Sequence, residues 1–163
     1  MAFDFSTLVT DRTAEDVRRW RELRDKGYKN MTAEEQTEWM SLTMKGAYNY
    51  TDLNRVGNAL NHLYTRLYEA GYITPSTTFT AATNWTLTKI PTADDLTHYL
   101  KCVGIVREAM AQFETTPPTP ADTGALNYIE ANNIELILTD IEILINNMLA
   151  ARYFCGEVFA GEV

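Results

Sequence analysis

Histidine and cysteine are scarce in this chain, with two of each among 163 residues. Cys102 and Cys155 have no CxxC spacing, so they form neither a zinc motif nor a disulfide framework. They read as buried or idle thiols of a reducing compartment. Basic charge is also short: 14 Lys and Arg stand against 22 Asp and Glu, a formal net charge of −8. That balance argues against nucleic-acid binding through a broad basic face. The densest basic cluster, Arg18, Arg19, Arg21, Arg24 and Lys26, is interleaved with Asp16, Glu22 and Asp25 and reads as a solvated helix face. The glycines are scattered, so no glycine-rich phosphate loop is present. No apolar run reaches membrane-spanning length; the richest, 134–148, is broken by Glu135, Asp140 and Glu142. Met1-Ala2-Phe3-Asp4-Phe5 lacks the basic region and apolar core of a secretory signal.

What is present is helical punctuation. An apolar content of 45% is ordinary for one soluble globular domain. Thr13, Thr32 and Thr92 each stand three residues before an acid, Asp16, Glu35 and Asp95. A threonine oxygen can accept an orphan N–H of the first turn while the acid reaches back to the cap. The spacing predicts helices over 14–26, 33–44, 51–70, 93–113 and from 127–130 to about 152. Gly27 and Gly71 are placed to close the first and third. Gly57 inside the third costs roughly 1 kcal/mol against alanine, which close contact with a neighbouring helix would explain.

The chain also repeats itself. Gly46-Ala47-Tyr48-Asn49-Tyr50 and the later Asn54 return 78 residues on as Gly124-Ala125-Leu126-Asn127-Tyr128 and Asn132. The apolar positions Val56, Leu60, Leu63 and Leu67 return as Ile134, Leu138, Ile141 and Ile145. Thr13 to Val17 has a similar echo in Thr92 to Leu96. The expected fold is an all-α helical bundle of two duplicated helix pairs in one domain. Unit A spans about residues 8–72, a Thr-rich connector 73–89, unit B about 87–152 and an extended tail 153–163. The connector reads as a long ordered loop or short strands, able to pair with the tail.

Candidate sites are few. Gly46, Asn49, Tyr50, Asn54 and their copies Gly124, Asn127, Tyr128 and Asn132 read as helix-start chemistry used twice. Asp95 and His98 share one helix face and resemble half of a di-iron motif, but no second acid-x-x-His accompanies them, and His62 has no acid on its face. Cys102, one turn from His98, has no electropositive surroundings and reads as a buried thiol. Tyr64, Tyr68 and Tyr72 form a stripe at helical spacing, either core edge or contact surface. Trp85, Tyr153, Phe154 and Phe159 complete the candidate interface.

The element Tyr48-Asn49-Tyr50-Thr51-Asp52-Leu53-Asn54-Arg55-Val56-Gly57, the stretch Ile90-Pro91-Thr92-Ala93-Asp94 and the ending Tyr153-Phe154-Cys155-Gly156-Glu157 resemble small proteins encoded in phage and prophage tail-gene regions of gut Clostridia-type bacteria. In those proteins a serine stands where this chain has Cys155. The resemblance implies a virion-structural role and assigns no catalytic residue. The leading expectation is a non-enzymatic tail or baseplate structural or adaptor protein without cofactor. It would contact itself or other virion proteins, not nucleic acid or membrane, in the virion or the host cytoplasm. The extended tail could add a strand to a partner. Two alternatives stay open. One is a small-ligand or carbohydrate-binding module using Trp85 and nearby tyrosines; the other is a metalloprotein or enzyme centred on Asp95 and His98.

Overall fold

The computed structural model describes residues 3–75, 79–89, 91–121 and 126–156, with side chains described up to residue 151. Among them run five α-helices: α1 Ala14–Lys26, α2 Ala33–Met40, α3 Tyr50–Glu69, α4 Ala93–Glu108 and α5 Tyr128–Gly156. Short 3-10 turns occupy Phe5–Thr7 and Tyr28–Asn30. No strand occurs among the described residues.

Side chains close the helix starts. Thr13, Thr32, Asn49 and Thr92 cap α1, α2, α3 and α4, and Asp16, Glu35, Asp52 and Asp95 reach back to each cap's own N–H. Gly27 and Gly71 follow α1 and α3 at φ of 73° and 82°, a region glycine enters without steric cost. Two helices are shorter than their periodicity predicts. α2 stops at Met40 because Leu42 turns left-handed, φ 58°, and its carbonyl accepts the Asn49 amide at 3.1 Å. α4 stops at Glu108. The Gln112 amide folds back onto the carbonyls of Arg107 and Met110, and Arg107 Nε donates to the Pro117 carbonyl at 2.7 Å.

Helices α3, α4 and α5 pack against one another pairwise. Their shared core contains Val56, Leu60, Leu63, Leu67, Val103, Val106, Ile134, Leu138, Ile141 and Ile145. Full burial of one such side chain stabilises by about 1.5–3 kcal/mol. The Pro-rich connection is fastened to α5 where buried Thr116 donates to Asp140 at 2.6 Å.

The two predicted units do not pack alike. α4 contacts both α3 and α5, whereas the main backbone neighbour of α1 is the turn at Tyr28–Asn30. α1 pairs instead with α2. Trp20 stacks on Trp39 at 6.4 Å, and Arg19 and Lys26 bridge to Glu38 and Glu35, each at 2.6 Å. Leu23 and Met31 are buried there, outside the main core.

Residues 79–85 form neither helix nor strand. Asn61 holds Ala81 by its N–H and carbonyl at 3.2 and 2.9 Å, and Asn54 holds Trp85 likewise at 2.8 and 3.0 Å. Helical amides thus satisfy a backbone that a strand ladder would otherwise have to satisfy. Gly57 faces this segment rather than a helix: a Cβ there would lie 2.2 Å from the Ala82 carbonyl oxygen. The tail expected to be extended from residue 153 is helical as far as Gly156, where α5 continues; its remainder and the predicted pairing lie outside the described residues.

Candidate functional site

The asparagine of the second long helix repeats the clamp of the first. Asn132 accepts the Arg12 N–H at 3.0 Å and donates to the Arg12 carbonyl at 2.9 Å. Asn54 therefore grips the segment preceding α4, and Asn132 grips the segment preceding α1. One turn further along, the copies diverge. Gly57 admits the Ala82 carbonyl, whereas its counterpart at the same 78-residue offset is Glu135, which accepts the Val9 N–H at 2.6 Å.

Glu135 is 0% exposed and anchors a buried charge network. Arg12 donates to Glu135 at 2.6 Å, to Asp52 at 3.1 Å and to the Val9 carbonyl at 2.6 Å. Arg55 donates to Asp52 at 2.5 Å and to Glu135 at 2.9 and 3.1 Å. Two guanidiniums and two carboxylates balance, which is how such charges tolerate burial. Burial alone would lower the Arg55 pKa, but the hydrogen bonds and charges of Glu135 and Asp52 outweigh it and raise the value. The Arg12 guanidinium lies 5.2 Å from the Tyr48 ring centre, a cation–π contact. Tyr48 and Tyr99 share a hydrogen bond between hydroxyls at 2.5 Å. Desolvation pushes both phenols upward, so they remain neutral and polar.

Above this network opens a cleft of about 510 Å³. Its walls are α1 (Val17, Trp20, Arg21), the lead-in to α3 (Lys45 to Tyr48) and the start of α5 (Leu126, Asn127, Tyr128, Ala131, Ile134). Gly46 fixes the gap from one side, since a Cβ there would lie 2.0 Å from the Asp16 carbonyl oxygen. Arg12, Arg21 and Lys45 line the cleft, and no carboxylate is among its described lining residues. Lys45 pairs with Asp11 at 2.6 Å, whereas Arg21 forms no ion pair among the described residues. The cleft thus offers an apolar, aromatic wall with a cationic rim on an acidic protein.

The repeated motif has two jobs here. Asn49 and Asn127 accept first-turn amides of α3 and α5, each at 2.8 Å. Gly46, Asn127 and Tyr128 also line the cleft, a role the sequence reading did not give them. Tyr50 is half-buried against the core, and Gly124 lies outside the described residues.

The candidate interface is reduced. Trp85, expected as a stacking platform, is 6% exposed, held through its backbone by Asn54, with Lys89 at 4.5 Å from its ring centre. Tyr64 stacks on Phe79 at 3.9 Å and is core edge, while Tyr68 and Tyr72 remain 49% and 42% exposed. The side chains of Tyr153, Phe154 and Phe159 lie outside the described residues. Asp95 spends its carboxylate on Thr92, which lowers its pKa, and His98 Nε2 meets the Thr80 carbonyl at 3.1 Å. Cys102 is fully buried, and desolvation raises its thiol pKa. His62 packs near Phe5, and burial lowers its pKa.

Sequence reasoning missed the network of Arg12, Asp52, Arg55 and Glu135. One signal was available: Glu135 interrupts the apolar stripe of α5 next to Ile134, and an acid on a core face requires a cation. Comparisons with protein families, with curated proteins and with solved structures find no match to this chain.

Proposed function

We propose that this chain is a non-enzymatic structural or adaptor protein of a phage tail or baseplate, acting through protein–protein contacts with itself or other virion proteins. The observation that carries the reading is the two-sided apolarity of α5. Its inner face fills the core, yet Ile129 and Ile143 remain 51% and 43% exposed on the outside. Leu136, seven residues from each, is half-buried between them, so the three fall on one stripe. A helix apolar on both sides is one that expects further covering. The resemblance of the motif segments to phage tail-region proteins supplies the setting.

We infer further that the chain grew from two copies of a helix pair. The reciprocal clamps by Asn54 and Asn132 and the paired caps at Asn49 and Asn127 support this, since unrelated helices have no reason to repeat them at one offset. A second functional reading, small-ligand binding, draws on the cleft and no longer on Trp85.

Light scattering coupled to size exclusion tests the leading reading. The expected result is self-association, or co-elution with a virion component, that the pair Ile129→Lys and Ile143→Lys weakens by about tenfold. A strict monomer whose deletion leaves virions assembled and infectious sinks it.

A further inference from the structure

We propose that the cleft between α1 and the start of α5 receives the Gly-Glu-Val tail of a second copy of this chain, joining copies head to tail. The proposal rests on the protein–protein reading above and names one of its contacts.

Charge complementarity is the first argument. The cleft presents Arg21 and Lys45, the latter paired with exposed Asp11, around Val17, Trp20, Ala131 and Ile134, with no carboxylate among its described lining; Arg12 at its floor is buried and already neutralised by Glu135 and Asp52. The segment Glu157-Val158-Phe159-Ala160-Gly161-Glu162-Val163 carries two acids, three large apolar side chains and no base. Apolar residues between acids suit an apolar wall with a cationic rim.

Chain length is the second argument. Ile134 of the cleft and Gly156 belong to one helix, which at 1.5 Å per residue separates them by roughly 33 Å. Residues 157–163, even fully extended, span at most about 25 Å. Those residues cannot return to the cleft of their own chain, so the contact is intermolecular. A cleft at one end of a helix and its occupant at the other make a heterologous contact, which builds rings or open filaments. The described residues contain no strand that the tail of a second copy could pair with.

Zero-length carbodiimide cross-linking of mixed light and heavy-isotope chains, read by mass spectrometry, tests this directly. The expected product joins Lys45 of one copy to Glu157 or Glu162 of another, with both isotopes in one cross-link. In sedimentation, Arg21→Glu with Lys45→Glu, and separately Glu157→Lys with Glu162→Lys, are expected to weaken self-association about tenfold. All four changes in one chain are expected to restore it. Circular dichroism melts confirm that each variant folds. If chains ending at Gly156 associate as the full chain does, the tail contact is overturned and the broader protein–protein reading survives. A full chain that stays monomeric at every concentration also overturns it, leaving capture of a virion component through α5 as the separate test. Cross-links found only with both residues on one isotope, with no mixed product, would place the contact within one chain and overturn it too.

Discussion

At the residue scale, the informative side chains are polar ones that hold a backbone. Asn132 satisfies both the N–H and the carbonyl of Arg12, so Asn132→Ala leaves two hydrogen-bonding groups without partners. The expected loss is about 1–3 kcal/mol in urea denaturation, with a similar loss for Asn54→Ala. Glu135→Ala is expected to cost more, about 3–5 kcal/mol, because it removes the fully buried carboxylate that Arg12 and Arg55 share and leaves both with only Asp52 as counter-charge. A loss no larger than that of an ordinary surface substitution would show that water reaches the network. The asparagines were legible in the sequence because they repeat, and their partners were not. Arg12 and Trp85 lie in segments with no periodic pattern, so nothing in the chain pointed to their backbones.

At the scale of single elements, capping boxes set where helices begin, and they also set a pH limit. Asp16 and Asp95 are held below the ordinary 3.8 by hydrogen bonds with Thr13 and Thr92. Glu35 is held below 4.5, first by Lys26 and then by the Thr32 N–H. A depressed carboxylate contributes stability that is present above its unfolded value and is lost as pH falls through the folded one. Thermal midpoints are therefore expected to stay flat above about pH 5 and fall below about pH 4, with a shallower fall in Asp95→Asn. Gly57→Ala distinguishes propensity from packing. Propensity alone would stabilise α3 by roughly 1 kcal/mol. The Ala82 carbonyl at 2.2 Å from the added carbon predicts net destabilisation instead, by about 1–3 kcal/mol, readable in chemical denaturation. Helix starts were visible in the sequence because a cap needs only residues three apart. The ends of α2 and α4 were not, because Asn49 and Pro117 stop them from a distance.

For the whole molecule, two surfaces of different physics are available for assembly. The outer stripe of α5 is apolar, and the cleft has a cationic rim. Salt separates them. Association through the tail and cleft is expected to weaken as sodium chloride rises toward 1 M, where screening acts within about 3 Å. Association through Ile129 and Ile143 is expected to persist. Sedimentation across a salt series, with the α5 and cleft variants in parallel, assigns each contact, and a salt-independent constant in the α5 variant would remove the electrostatic one. The asymmetry of the bundle matters here. The cleft lies where α1, paired with α2 through Trp20 and Trp39, meets the lead-in to α3 and the start of α5.

Local pattern was enough to place the five helices, their starts, the core positions of α3 and α5 and the recurrence of the helix-start motif. All of these depend on residues within a turn or two of one another, or on a spacing that can be counted. That the repeated asparagines clamp one another's leading segments and that Trp85 is buried came from the packed structure alone. It alone paired Glu135 with two arginines 123 and 80 residues away, and it alone left a cation-rimmed cleft beside the motif. Those outcomes depend on which surfaces meet, and contact between residues far apart in the chain leaves no period to read.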